Sequence, residues 1–142
     1  MTKATLFTMI IFMGASHLFA QGLETDAEGF QTFTSHEGDT AYVMKKYHIV
    51  FLKVGPNRNQ DEKEALEIQK KHMEHINWMA EEGYVDIAGP FAGEGEIRGI
   101  LVMHVPTLEK AKELASMDPA VKAGRLTVEV HGWWVAEGSC LK

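Results

Sequence analysis

The sequence predicts an α+β domain whose strands and helices follow the order βαββαβ. Four segments of strand length are rich in β-branched and aromatic residues or alternate apolar with polar residues. Two segments between them repeat apolar residues at intervals of three and four, which is typical of one face of a helix. This order is that of the split βαβ, or ferredoxin-like, arrangement, in which two helices cover one face of a four-stranded antiparallel sheet.

The first part of this pattern is a strand followed by a long helix. Residues 47–54 are apolar on both faces, which predicts a strand in the middle of its sheet. Residues 59–82 are predicted to form the helix. Asn59 and Glu62 have the layout of a capping box at its start, and Gly83 is placed to end it.

The second part contains three strands and a shorter helix. Residues 84–91 and 97–105 are predicted strands joined by a glycine-rich hairpin connection. Thr107 is placed to cap the second helix, and residues 126–135 alternate as a last strand. Trp133 lies on the polar side of that strand, where a large aromatic residue suggests cover by another subunit. We therefore expect a homodimer formed sheet to sheet, with a cavity between the sheets.

Composition and charge limit the possible functions. The 142 residues are enough for one domain with a core and too few for two. The formal net charge of -6 and the lack of a basic cluster argue against nucleic acid and anionic membranes as partners. Dinucleotide, phosphate-loop and Cys-x-x-Cys signatures are absent from the sequence, so no cofactor is predicted. The single cysteine, Cys140, cannot form an internal disulfide.

Both ends of the chain are predicted to lie outside the domain at 42–136. Residues 1–20 combine one lysine, a short apolar run and small residues before Ala20, which is typical of a signal peptide. A signal peptide would direct export to a periplasm or to the exterior, and its removal would leave no membrane anchor. The alternatives are that residues 1–20 form an uncleaved anchor or a buried helix. Residues 21–41 are acidic and lack periodicity, which indicates a flexible leader that docks through two phenylalanines. Residues 137–142 form a polar tail.

His72 is the candidate catalytic residue, because it interrupts the apolar face of the long helix between Ile68 and Ile76. Asp118 precedes Pro119 and is interpreted as the carboxylate that orients the imidazole, as the third group of a catalytic triad does. Such a pair can serve as general base and general acid. Two structural alternatives stay open: His72 is a hydrogen-bonded core histidine, and Asp118 only caps a helical turn.

Several short motifs resemble one known family in their order and spacing. They are Gly55-Pro56-Asn57-Arg58, the helix with His72, Glu82-Gly83, Ala88-Gly89-Pro90, Arg98-Gly99-Ile100, the segment from Asp118-Pro119 to Gly124, and Trp133-Trp134. Over about residues 45–135 the sequence resembles the YCII-related family. The resemblance implies a dimeric ferredoxin-like α+β barrel and an active site in which His72 pairs with Asp118. It also implies a small-molecule activity, of which dehydrochlorination of a chlorinated hydroxyhydroquinone is the known kind, although the export signal departs from the family.

Five further residues are candidate substrate contacts. Arg98 suits an anionic substrate, although an arginine on a strand is as readily part of a surface ion pair. Gly89 and Pro90 either shape the rim of a pocket or simply bend their strand. His131 and Trp133 belong to the side of the sheet where a cavity between subunits would lie.

No metal site is predicted. His72 and His75 are three residues apart and lack the His-Glu-x-x-His spacing of metalloproteases. His48, His104 and His131 lie on predicted strands and could converge between the sheets, which would favour a metal-dependent activity.

The predicted function is a small exported enzyme, independent of cofactors, that uses His72 and Asp118 for elimination or isomerisation of a small organic molecule. The alternative is a non-catalytic dimeric module that binds a small molecule in the same cavity. A metal-dependent activity ranks third. The sequence does not identify the substrate.

Overall fold

The structure, a computed structural model, describes residues 22–141, so the predicted signal peptide lies outside the described residues. The elements within this range are β1 (Glu24–Thr25), β2 (Gln31–Glu37), β3 (Thr40–Val54), α1 (Glu62–Glu81), β4 (Val85–Pro90), β5 (Ile97–Met103), α2 (Leu108–Ser116), α3 (Pro119–Lys122) and β6 (Leu126–Ala136). None of the helices described here is both long and apolar enough to cross a membrane.

The sheet is built around β3. β6 pairs with one edge of β3, while β5 pairs with the other edge and carries β4 beyond it. All these pairs are antiparallel. Together with α1 and α2 they reproduce the predicted βαββαβ order, so the α+β prediction is confirmed and the arrangement within one chain is ferredoxin-like. The short helix α3 is an addition between α2 and β6.

The prediction of a flexible leader is wrong for residues 22–41. β2 pairs with the first part of β3, and β1 pairs with β2, so β3 begins at Thr40 rather than at residue 47. Backbone hydrogen bonds between strands form with any residue type except proline, so pairing with β3 requires little hydrophobic periodicity in this segment. The expected docking through phenylalanines does occur. Phe30 is buried, and Phe33 packs edge-on against Trp134 with ring centroids 4.8 Å apart.

Lys45 attaches the turn before β2 to the sheet. Its Nζ lies 3.1 Å from carboxylate oxygens of both Asp26 and Glu28, and 4.1 Å from the centroid of the Phe30 ring. Burial lowers the pKa of Lys45, but hydrogen bonds and ion pairs with the two carboxylates outweigh it, and the pKa lies above its usual value. Burial raises the pKa of Asp26, and hydrogen bonds from the Phe30 N–H and Lys45 outweigh it, so the pKa lies below its usual 3.8.

We expect this turn to detach in acid. Because the pKa of Asp26 is lower in the folded than in the unfolded chain, its contribution to stability is present above about pH 4 and is lost as the pH falls through the folded pKa. The Phe30 amide donates to Asp26 Oδ1 at 2.8 Å, so its hydrogen-exchange protection factor should fall as the pH is lowered through the depressed pKa of Asp26. The amide of Val50, in the centre of the sheet, serves as the internal control. Asp26→Asn should remove the pH dependence, and a wild-type protection factor that stays constant would contradict this account.

α1 begins later than predicted. Its N-cap is Asp61, whose side chain accepts a hydrogen bond from the Glu64 N–H at 2.8 Å, so the capping box at Asn59 is wrong. Aspartate caps a helix as well as asparagine does, and the residues before it are held against the chain that leads into β6 by the Asn57 N–H. The end is as predicted: Gly83 follows the helix with a φ of 77°, a left-handed conformation that favours glycine.

The helices cover one face of the sheet and form the core there. Its buried members are Val50, Leu52, Met79, Val85, Leu101, Met103, Val105, Ala111, Leu114, Ala115 and Val130. Because side chains alternate along a strand, the neighbours of Val50 on β3, Ile49 and Phe51, lie on the opposite face with their β6 partners His131 and Glu129. We call this second side, which none of the three helices covers, the open face.

The strand histidines do not converge. His48 is on the core side, where its Nδ1–H donates to the Val105 carbonyl at 3.0 Å and burial lowers its pKa. His104 and His131 contact different carboxylates elsewhere in the fold. Within residues 22–141, no three His, Cys, Asp or Glu side chains are grouped so that they could hold a metal ion. The convergence of His48, His104 and His131 that would favour a metal-dependent activity is therefore not formed within one chain.

Candidate active site

His72 lies near the middle of α1, on the side that packs against β4 and α3. The sequence predicts this position, because His72 belongs to a set of residues at intervals of three and four that share one apolar face of the helix. His72 and Met79 are the buried members of the stripe, and Ile76 between them is half-buried. With 8% of its surface exposed, His72 is nearly enclosed and still reaches solvent.

Asp118 uses its two carboxylate oxygens for different contacts. Oδ1 accepts a hydrogen bond from the Ala120 N–H at 2.7 Å and so caps α3, with Pro119 in the first turn. Oδ2 lies 2.6 Å from His72 Nδ1, whose hydrogen it accepts. Asp118 is 1% exposed, so the pair is shielded from water on the carboxylate side. Asp118 therefore caps α3 with one carboxylate oxygen and accepts a hydrogen bond from His72 with the other.

The second nitrogen of the imidazole, Nε2, remains accessible. Among residues 22–141, no group forms a hydrogen bond with it, and no side-chain nitrogen or oxygen that is shut off from solvent lacks a partner. Nε2 therefore keeps access to solvent, and His72 is one of the residues that line a cavity. Since Nδ1 carries the hydrogen donated to Asp118, Nε2 presents a lone pair in the neutral ring.

The cavity beside His72 has a volume of about 410 Å³. Its walls include Gly89 and Pro90 from the end of β4 and Arg98 from the start of β5, three of the predicted substrate contacts. Much of the remaining wall is apolar and consists of Leu52, Met73, Ile76, Ile100, Leu101 and Leu126. This size and lining suit a small organic molecule.

Arg58 and Arg125 also line the cavity, and the sequence did not identify them as site residues. The two segments that carry them lie side by side. The Gly55 N–H donates to the Arg125 carbonyl at 2.9 Å, and Arg58 Nη1 donates to the same oxygen at 3.1 Å. The available signal was the segment Gly55-Pro56-Asn57-Arg58, which the strand pattern explains simply as the end of a strand.

His131 and Trp133, which are predicted to contact the substrate in a cavity between two subunits, do not line the His72 cavity of a single chain. Both lie on the open face, because alternation along β6 directs them away from Leu126, which lines the cavity. His131 contacts Glu129 at 2.7 Å and is exposed. Trp133 lines a separate hollow of about 190 Å³ next to the polar tail.

The arrangement is suited to proton transfer. Histidine is the residue type that gains and loses a proton near neutral pH, and His72 is the one histidine among the described residues that line the cavity. The same lining contains no serine, threonine, cysteine or lysine, so it offers none of these side chains for covalent catalysis. His72 Nε2 can take a proton from a bound molecule and return it, while Asp118 orients the ring.

The fold and the site define the chain as a ferredoxin-like α+β domain with a His–Asp pair beside a cavity. The family model described as the YCII-related domain matches residues 48–133, and the chain belongs to this family. Among solved structures, the chain is similar to 5-chloro-2-hydroxyhydroquinone dehydrochlorinase (TftG) from Burkholderia phenoliruptrix AC1100, in a complex with 2,5-dihydroxybenzoquinone. The identity is 17% and the TM-score 0.48, over 61% of this chain and 92% of that chain. No curated protein matches the sequence.

Proposed function

We propose that this protein is an enzyme in which His72 acts as general base and general acid on a small organic molecule, without a cofactor. The observation that carries this proposal is the 2.6 Å contact between Asp118 Oδ2 and His72 Nδ1, which leaves Nε2 free for a molecule in the cavity that His72 lines. A carboxylate in this position holds the imidazole in one tautomer and stabilises the positive charge that the ring acquires with a second proton. Arg98, Gly89 and Pro90 contact the substrate from the facing wall.

Elimination and isomerisation are the reaction types that suit these groups. Nε2 takes a proton from a carbon or hydroxyl group of the substrate. In an elimination, the electron pair left behind forms a double bond and expels a leaving group from the neighbouring atom. In an isomerisation, the double bond shifts and the imidazolium returns the proton to a different atom. Neither reaction requires a covalent intermediate or an electron acceptor, in agreement with a lining that has no serine, threonine, cysteine or lysine.

A binding module without catalysis is the second candidate function. The contact between His72 and Asp118 would equally hold a histidine whose role is to form a hydrogen bond with a ligand. Such a module would use the same cavity and the same wall residues. It differs from the enzyme in one observable way, because it would bind a molecule and release it unchanged.

A solvent-exchange screen separates these two functions. The protein is incubated in D₂O with carbonyl compounds and hydroxyquinones that carry acidic C–H groups, and proton NMR follows each compound. The enzyme should incorporate deuterium or form product faster than a protein-free blank, whereas saturable shift changes without either would favour the binding module. Long-range ¹H–¹⁵N spectra should place the imidazole hydrogen of His72 on Nδ1. A hydrogen found on Nε2 instead would contradict the proposal, because the base would lack its lone pair.

The proposal includes a homodimer formed through the open face. Large apolar side chains are exposed there, with Ile87 at 38% and Trp133 at 42%, and Phe51 lies half-buried among them. Sedimentation equilibrium should give twice the mass of the mature chain, and a monomer at micromolar concentration would refute this part.

We also propose that residues 1–20 direct export and are removed. Mass spectrometry of cell fractions should then find a chain that begins at Gln21 outside the cytoplasm. An intact chain confined to the cytoplasm would refute export without affecting the proposed chemistry.

A further inference from the structure

All three arginines of the chain line the His72 cavity. They are Arg58 before α1, Arg98 on β5 and Arg125 directly before β6. The chain as a whole is acidic, with 20 Asp and Glu against 14 Lys and Arg. The arginines of an acidic protein thus come together around one cavity from three separate segments of the chain.

The hydrogen bonds of these arginines leave their charges uncompensated. Arg58 Nη1 donates to the Arg125 carbonyl at 3.1 Å, and Arg125 Nη1 donates to the side-chain oxygen of Gln60 at 2.8 Å. Arg98 Nη1 lies 3.5 Å from the carbonyls of Gly93 and Gly95. All these acceptors are neutral, and none of the ion pairs between residues 22–141 includes an arginine. Each guanidinium has five N–H donors, so most of them remain free for an anionic ligand.

The rest of the cavity determines what kind of anion fits. Guanidinium groups bind carboxylates and phosphates through paired, planar hydrogen bonds. A phosphate site usually adds a helix N-terminus or a glycine-rich loop of backbone N–H groups. Here the two glycines of the lining, Gly89 and Gly99, stand on paired strands, and the one helix among residues 22–141 that begins at the cavity, α3, has only four residues. Apart from the arginines, His72 and Gln69, the wall is apolar, which favours an apolar ligand body. Arginine also stacks on flat π-systems, which favours a planar body.

We propose that the cavity binds a small organic carboxylate with an aromatic or conjugated body, held by Arg58, Arg98 and Arg125 beside His72. This inference rests on the proposed function for its chemistry and names the substrate class of that site. When Nε2 removes a proton from the carbon framework, negative charge spreads through the conjugated system onto the carboxylate oxygens. Positive groups fixed next to those oxygens stabilise that charge as it develops.

Benzoate and benzamide are the matched probes, because they share shape and size and differ in charge. Binding to the wild-type protein is measured by calorimetry and by ¹H–¹⁵N chemical-shift changes. Arg58→Gln, Arg98→Gln and Arg125→Gln should each weaken benzoate binding by about 10-fold to 100-fold, the effect of losing a charged hydrogen bond. Lys70→Gln is the control, since Lys70 is an exposed cation on α1 that does not line the cavity. It should change binding by less than about twofold.

The outcomes distinguish the inference from the proposed enzyme. Benzamide that binds as tightly as benzoate, or arginine variants that bind benzoate like wild type, would overturn the inference. Inorganic phosphate that binds with the same arginine dependence while benzoate does not would also overturn it. Arg98→Gln keeps the test decisive if Arg125→Gln unfolds, because Arg98 makes only long contacts to the hairpin. A third outcome is that benzoate binding depends on the arginines, persists in His72→Ala, and is accompanied by no turnover in the solvent-exchange screen with the wild-type protein. That outcome would refute the proposed enzyme, but the inference that the cavity binds an organic carboxylate would remain supported.

Discussion

Replacement of His72 by alanine is expected to lower turnover by about 10²-fold to 10⁴-fold, the contribution typical of a general acid–base group. The expected loss is large because the described lining of the cavity offers no second histidine, lysine or carboxylate that could take over the proton. Alanine is the strongest helix former, so α1 should persist. The measurement is kcat/KM for a substrate found by solvent exchange, with circular dichroism to show that the variant is folded.

Asp118→Asn is the variant that isolates the role of the carboxylate. Asparagine retains an oxygen that can cap the Ala120 N–H, while its amide cannot stabilise a positively charged imidazole. We expect a smaller decrease in kcat than for His72→Ala, together with a change in the imidazole tautomer. Lys71→Ala, an exposed substitution on the same helix, should leave turnover unchanged. A folded His72→Ala protein with wild-type turnover would contradict the catalytic role, and full activity of Asp118→Asn would reduce Asp118 to a helix cap.

Gly55→Ala is expected to destabilise the fold by about 2–4 kcal/mol, although it adds one methyl group. A Cβ at residue 55 would stand 2.2 Å from the Gly124 carbonyl oxygen and 2.6 Å from the Arg125 carbonyl carbon. Both are backbone atoms of the chain entering β6, which cannot turn aside as a side chain can. The two segments would have to separate, and the hydrogen bond from the Gly55 N–H to the Arg125 carbonyl would be lost.

Thermal unfolding measures this effect, and a decrease in Tm of about 10 °C is expected. Gly95→Ala is the matched control, because a Cβ there would meet nothing within 4 Å and Gly95 has no positive φ. It should change stability by less than about 0.5 kcal/mol. Equal melting temperatures for the two variants would show that the close approach at Gly55 can be relieved. If Gly55→Ala folds, it should also bind benzoate more weakly, since Arg58 and Arg125 flank the disturbed contact.

Features that depend on neighbours in the chain were predictable from the sequence. The alternation in β6 and the capping of α2 by Thr107 are local patterns, and both occur where they were expected. The start of α1 was missed because Asn59 and Asp61 are equally good caps, and a local pattern does not choose between them. β2 was missed because its place depends on pairing with β3, which leaves little trace in side-chain periodicity.

The candidate site divides in the same way. The positions of His72 on the buried face of a long helix and of Asp118 at the start of a short one were predictable, since helical periodicity and Asp-Pro capping are set within a few residues. The contact between these two side chains, 46 residues apart, depends on the tertiary fold, which gives one carboxylate oxygen to the cap and the other to the ring. The fold also brings three arginines from separate segments to one cavity, while His131 faces away from it. Such contacts follow from strand register and from the packing of α1 and α3 against the sheet, which depend on many distant pairs at once.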